Sequence, residues 1–237
     1  RDVLNVLGEY PGDPGPPGGD AAGVVGEESL LSRSTFGLGH APLASVAIAA
    51  TPLLANKPST LSFEQACTLP VTWSTTHAAV EGVGLCAGHA MIVHAAAGGV
   101  GLKAVEYAQW LHTSTIGTAG RPHKHAQLRS ADVVALLCSS RDGSALTMGV
   151  ARHMATSRSH AVLNSLSLDF IAASFASLGE GGAFEEIGKR GVWSEARHAA
   201  AAAPGARCEA VALDADMARD GWWMRRGLSL LAARAAA

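Results

Sequence analysis

The stretch 89–110, HAMIVHAAAGGVGLKAVEYAQW, constrains the fold more than any other part of the chain. A short apolar run, Ala90-Met91-Ile92-Val93, enters Ala96-Ala97-Gly98-Gly99-Val100-Gly101, after which Leu102, Val105, Ala108 and Leu111 recur every three residues. The run reads as a strand and the recurrence as one face of a helix, so the segment predicts strand, glycine turn, helix. Glycines at such a turn permit tight backbone geometry and let a pyrophosphate approach the main chain. The free N–H groups and positive dipole at the helix start draw its negative charge. The spacing is a GGxG variant of the dinucleotide fingerprint. Ala97, Gly98, Gly99, Val100 and Gly101 are therefore candidate cofactor contacts.

Downstream, apolar or β-branched runs at 113–118, 133–138, 160–163, 183–187 and 210–213 alternate with helix-length stretches such as 124–128 and 168–178. That alternation predicts an α/β fold, a Rossmann-type doubly wound parallel sheet whose ligands lie beyond the carboxyl ends of its strands. Those ends carry the glycine turn, Thr118-Ala119-Gly120-Arg121 with Lys124, Ser139-Ser140-Arg141, Asn164-Ser165, Gly188-Lys189-Arg190, and Asp214. Thr118, Gly120, Arg121, Lys124, Ser140, Asn164 and Ser165 join the candidate cofactor contacts. The second strand selects the cofactor. An acid there grips the ribose 2′-hydroxyl of NAD, whereas a 2′-phosphate needs cations. After Thr118 the chain offers Arg121 and Lys124 and no acid until Asp132, which predicts NADPH.

Upstream of the glycine turn the pattern is weaker. The apolar run Val3-Leu4-Asn5-Val6-Leu7, the Pro/Gly-rich stretch 10–20 and Ala21-Ala22-Gly23-Val24-Val25 read together as an irregular β segment with an extended loop. The stretch 34–48 is β-like or irregular. The stretch 58–66 sets a serine or threonine cap ahead of a short helix closed by Leu69-Pro70, and 72–87 reads as a second helix. With 237 residues, the chain suffices for one large or two modest domains. No apolar run approaches the ~20 residues needed to cross a bilayer. A net charge of -2 without a basic run gives no footprint for nucleic acid, so small molecules are the expected partners. The scattered Cys67, Cys86, Cys138 and Cys208 point to a reduced compartment, cytoplasmic or the interior of an organelle. The start at Arg1, with nothing like a signal peptide, is expected of a segment cut from a longer polypeptide.

Several segments, taken in order, carry a family resemblance. Residues 1–8 with Tyr10-Pro11-Gly12, then Leu69-Pro70-Val71, 94–101, Thr118-Ala119-Gly120, 162–166 and Glu186-Ile187-Gly188-Lys189-Arg190 resemble the enoyl reductase domain of modular polyketide synthases and animal-type fatty acid synthases. That domain belongs to the medium-chain dehydrogenase/reductase superfamily. The resemblance implies a GroES-like β domain at the N-terminal side (1–71, expected here in shortened form), a Rossmann domain binding NADPH (72–216), and an alanine-rich C-terminal tail (217–237). It also implies hydride transfer to the β-carbon of an α,β-unsaturated thioester on an acyl carrier protein, with protonation at the α-carbon. The family's candidate acids map onto Lys189 and Asp214, and Tyr10 resembles the residue linked in some members to the face of protonation. Neighbouring synthase domains are implied partners, and a homodimer is left open.

Zinc-dependent relatives carry a His-Glu pair in a G-H-E-x-x-G segment and a cysteine cluster. The comparable stretch here is Gly18-Gly19-Asp20-Ala21-Ala22-Gly23, with glycine in place of the histidine, which predicts no metal. The chain departs from the family pattern at 26–35, which is short, at Arg121, where a serine is usual, and beyond Asp216. Two alternatives stay open: a free-standing quinone or enone reductase of the same superfamily, and a degenerate structural domain of a megasynthase.

Overall fold

The computed structural model describes residues 2–10, 13, 15–26, 33–154, 158–167, 169–189 and 191–236. In chain order, its elements begin with α1 (Asp2–Val6), β1 (Asp20–Val25), β2 (Arg33–Leu38), a 3-10 turn (Thr51–Leu53), β3 (Leu54–Asn56), α2 (Phe63–Ala66) and α3 (Pro70–Glu81). Strands then alternate with helices: β4 (Ala90–Val93), α4 (Gly99–Trp110), β5 (Ser114–Ala119), α5 (Pro122–Ser130), β6 (Leu136–Ser139), α6 (Gly143–His153), β7 (Ser159–Asn164) and α7 (Asp169–Ser177). The chain closes with β8 (Leu178–Glu186), α8 (Glu195–Ala201), β9 (Arg207–Ala210), α9 (Leu213–Arg219) and α10 (Gly221–Ala236). They divide into two units, 1–74 with 212–237, and 75–211.

The first unit holds a three-stranded antiparallel sheet, β1-β2-β3. Phe36 anchors it: fully buried, it pairs with Ala22 on one side and Ala55 on the other. The run 3–7, expected as β, instead lies in and just after α1, a short helix with Asp2 in its first turn. Local i+4 hydrogen bonding and an acid complementing the helix dipole outweigh the apolar run there. Ser62 caps α2 as expected, with Gln65 completing a capping box. Pro70 does not close that helix, which ends at Ala66. It opens α3 instead, where its missing N–H costs nothing. The following N–H, of Val71, donates to Asp20 Oδ1 at 2.6 Å. Burial raises that carboxyl to about 6. Of the stretch 217–237, the described residues up to Ala236 belong to the end of α9 and to α10, and α10 buries Met224, Leu228 and Leu231. Arg225 donates to the Thr51 carbonyl at 3.1 Å, and Thr60 Oγ1 to that of Ala235 at 2.7 Å, tying α10 to the 3-10 turn and to the residues ahead of α2.

The second unit is a six-stranded parallel sheet in the order β6-β5-β4-β7-β8-β9. The reversal of strand order on either side of β4 is the switch point at which doubly wound folds bind ligands. Its core gathers Ile92, Ile116, Val162 and Phe184 from the strands with Leu146, Val150, Ile171 and Phe175 from the helices. Phe175 stacks on Phe184 at 4.4 Å. Each such side chain, taken fully out of water, contributes about 1.5–3 kcal/mol. α4 buries Gly101, Ala104, Val105, Tyr107 and Ala108, so of the three-residue series 102–111 only Val105 and Ala108 are buried, because a helix of 3.6 residues per turn presents i, i+3, i+4 and i+7 on one face. The last strand lies at 207–210, ahead of the predicted 210–213. Asp214 consequently sits in the first turn of α9 and not at a strand end.

Candidate functional site: the glycine turn and its cationic cavity

β4 runs into the turn 94–98, and α4 starts with Gly98 as its N-cap. A Cβ on Gly101 would sit on the Ala95 carbonyl oxygen and 2.7 Å from Ala96 Cα, so only glycine lets the first turn of α4 lie this close to the loop. Ala95 holds a left-handed backbone, φ 49°, uncommon for a residue with a Cβ. A buried hydrogen-bond chain supports it. The Ala95 N–H donates to Thr118 Oγ1 at 3.1 Å, and the Thr118 hydroxyl lies 3.3 Å from His94 Nδ1. On the other side of the ring, His94 Nε2 lies 2.7 Å from Ser174 Oγ, whose own hydroxyl donates to the Phe170 carbonyl at 2.7 Å. With the Ser174 proton committed to Phe170, His94 carries its proton on Nε2 and accepts from Thr118 at Nδ1. Burial pushes His94 down to about 4, so it is neutral.

Beside this turn lies a cavity of about 200 Å³ lined by Ala95, Ala97, Ala119, Gly120, Arg121, Lys124, Ser140 and Arg141. Arg121 is the N-cap of α5, and no side-chain hydrogen bond caps that helix. The cavity therefore holds the positive end of a helix together with three cations and no carboxylate. Cations at a helix N-terminus oppose its dipole, so the arrangement calls for an anion. Gly120 keeps the cavity open: a Cβ there would lie 2.8 Å from Ser140 Oγ and 3.2 Å from Arg141 Nε. His125 fixes the rim by an Nε2 contact of 2.7 Å with the Ala119 carbonyl. The donor set fits a nucleotide carrying an extra phosphate on its ribose.

The structure thus brings together Ala97, Gly120, Arg121, Lys124 and Ser140, with Gly98, Gly99, Val100 and Gly101 forming the adjoining N-cap and first turn of α4. Thr118 is buried beneath the turn and does not line the cavity. Asn164 and Ser165 lie on the far side of β4, at the end of β7. Asn164 is fully buried and spends its amide on Leu166 O and Glu186 Oε2, both at 2.7 Å, while Glu186 Oε1 accepts the Gly188 N–H. Ser165 Oγ is buried and has no hydrogen-bond partner among the described residues. Lys189 is exposed after β8 in the second unit; the exposed Asp214 and the half-buried Tyr10 belong to the first. Pro11, Gly12 and Arg190 fall outside the described residues. The sequence places Arg141 at a strand end without counting it among the candidate cofactor contacts, and the structure adds it to the cavity lining. Sequence reasoning missed His94 and Ser174, whose pairing spans eighty positions and leaves no local trace.

No protein-family model matches the chain. It is 38% identical over 205 residues to the spectinabilin polyketide synthase system protein NorB of Streptomyces orinoci, covering 83% of this chain and 9% of that protein. Among solved structures, the CurK enoyl reductase superposes with a TM-score of 0.85 at 26% identity, over 97% of this chain and 74% of that one. The nucleotide-binding subdomain of the enoylreductase domain of PpsC from Mycobacterium tuberculosis gives 0.62 at 28% identity, over 68% of this chain and 90% of that one. The chain belongs to the polyketide synthase enoyl reductase domains. Within the medium-chain dehydrogenase/reductase superfamily, this enoyl reductase domain spans under a tenth of the length of NorB. Among its described residues no helix is long and apolar enough to cross a membrane.

Proposed function

We propose that this domain is an NADPH-dependent enoyl reductase acting on an α,β-unsaturated acyl thioester carried by an acyl carrier protein, alongside neighbouring domains of a synthase. The single observation that carries the cofactor choice is the cavity beside the glycine turn, lined by Arg121, Lys124 and Arg141 with no carboxylate among its described lining residues. NADPH, when bound, supplies the hydride that adds to the β-carbon. That addition leaves an enolate, whose negative charge needs a donor and whose α-carbon needs an acid. Lys189 and Asp214 are the proposed acids for the α-carbon, and Tyr10 the residue proposed to bias the face of protonation. These three assignments rest on the family motifs. The products are the saturated thioester and NADP⁺.

Loss of NADPH absorbance with a crotonyl thioester tests the proposal. Turnover is expected in the parent chain, with a drop of at least about a hundredfold in kcat for Lys189→Ala and a smaller one for Asp214→Ala. NADPH binding without thioester reduction would overturn the enzymatic reading in favour of a structural role. Reduction of quinones but not thioesters would instead assign the domain to free-standing enone chemistry.

A further inference from the structure

A cysteine–histidine cluster lies at the amino edge of the parallel sheet, opposite the cavity and glycine turn. Cys86, exposed, and His89, half-buried, stand in the loop just before β4, and His160 is the second residue of the neighbouring strand β7. Cys86 Sγ lies 3.1 Å from His89 Nε2. The His89 ring stacks on that of His160 with centroids 3.8 Å apart and planes 7° from parallel. The loop is held by backbone bonds: His89 N–H to the Cys86 carbonyl at 3.1 Å, Ser114 N–H to the His89 carbonyl at 2.8 Å, and Gly88 N–H to the His112 carbonyl at 3.2 Å. Thr113 Oγ1 donates to the Cys86 carbonyl at 3.3 Å. The pair is therefore presented by a fixed loop.

The two imidazoles are not equivalent. His160 Nδ1 accepts the Ala90 N–H at 3.1 Å, so protonation at that nitrogen would forfeit the bond. Burial, then the neighbouring His89, hold His160 below the ordinary histidine range. The other ring, His89, aims its Nε2 at a thiol. Among the described residues neither Cys86 nor His89 forms an ion pair, and the titratable group in ring contact with His89 is His160. The other three thiols are placed differently. Cys138 is buried and burial raises its pKa; Cys208 is raised by burial and by Glu185; Cys67 Sγ is occupied by the Glu64 carbonyl at 3.2 Å.

We propose that Cys86 is a thiol-modification site that takes low-molecular-weight disulfides, with His89 as its base. Cys86 Sγ attacks one sulfur of the incoming disulfide as His89 Nε2 accepts the thiol proton. A Cys86 mixed disulfide forms, the disulfide bond of the reagent breaks, and the departing thiolate collects the proton from His89. One disulfide is exchanged for another, so no external oxidant enters. The modification lies at the sheet edge away from the glycine turn and leaves NADPH binding intact, which separates its test from that of the proposed reductase activity.

The experiment treats the whole chain with glutathione disulfide and follows each cysteine by peptide mass spectrometry. Cys86 is expected to be modified first, at least about tenfold faster than Cys67. His89→Gln slows Cys86 by about tenfold and moves its pH–rate profile onto that of glutathione measured alongside. Cys86→Ser removes the fast phase and leaves the NADPH titration unchanged. Equal rates at Cys67 and Cys86, or an unaltered rate and profile in His89→Gln, would overturn the proposal. If His89→Gln loses its native circular dichroism, His89→Asn carries the same two outcomes.

Discussion

The two halves of the parallel sheet treat their polar groups in opposite ways at the carboxyl edge. Beyond β4, β5 and β6 stand Arg121, Lys124 and Arg141 around an open cavity, with no carboxylate lining it. Beyond β7 and β8 the polar groups are turned inward: Asn164 holds Glu186, Glu186 holds the Gly188 N–H, and Glu185 is 5% exposed against β9. Buried polar groups cost free energy unless the protein satisfies them; the second half satisfies Asn164 and Glu186 from within, while Ser165 Oγ has no partner among the described residues. The first half leaves cations for something else to satisfy. Unpaired charge beside a glycine turn marks a binding edge, and paired charge under cover marks the structure that holds the edge in place.

The sharpest way to break this contrast is to fill the turn. Gly101→Val places carbon atoms on the Ala95 carbonyl, and NADPH binding followed by fluorescence is expected to vanish, with a loss of about 2 kcal/mol in stability by thermal unfolding. Binding that survives would show that the turn is not the cradle. Next come the cations. A charge-assisted hydrogen bond contributes about 1.5–3 kcal/mol, so Arg121→Ala and Lys124→Ala are each expected to weaken NADPH by roughly ten- to a hundredfold, and together by about a thousandfold. NADH, lacking the 2′-phosphate, changes little. Equal losses for both nucleotides would mean that the cavity reads the shared pyrophosphate, and the comparison between the halves would lose its functional meaning.

Much of the binding half was legible in the chain because its determinants are local. The strand–turn–helix of 89–110 is contiguous, and Arg121 and Lys124 lie three residues apart at one helix start. The inward half was not legible. Glu186 reads as part of a motif, and only the parallel pairing of β7 with β8 reveals that Asn164 meets it. His94 likewise reads as a residue entering a glycine turn; its bond to Ser174 depends on α7 folding back over β4. The first unit differs from expectation at 3–7 because a run of five residues, four of them apolar, is too short to show either period, and local helical bonding decides the outcome.

His94 and Glu185, one under each half, allow the contrast to be measured through pH. His94 is held down to about 4 from 6.5, so the unfolded chain binds the proton more readily between those values. Its contribution is full above about 6.5 and is lost as pH falls through about 4, about 3 kcal/mol across the window. Denaturant unfolding of His94→Gln is expected to be weaker near neutrality and flatter toward acid.

Glu185 has the opposite sign and the smaller effect. Burial first, then Glu209 beside it on β9, raise it from 4.5 to about 7, against a smaller pull from Arg207. The folded state therefore binds the proton more readily than the unfolded chain between 4.5 and about 7, and stability is lost as pH rises through that range. The neighbouring Glu209 is exposed and its charge is screened by solvent, so the loss amounts to roughly 1–2 kcal/mol. Glu185→Gln, which keeps the shape and cannot ionise, is expected to be more stable than the parent at pH 8 by that amount and equal to it at pH 4. The two windows overlap between 4.5 and about 6.5, where the parent profile is partly flattened by cancellation. Glu185→Gln should uncover the His94 slope there. A variant no more stable at alkaline pH would mean that Glu185 is ionised and solvated, and the inward half of the sheet would then be as open as the binding half.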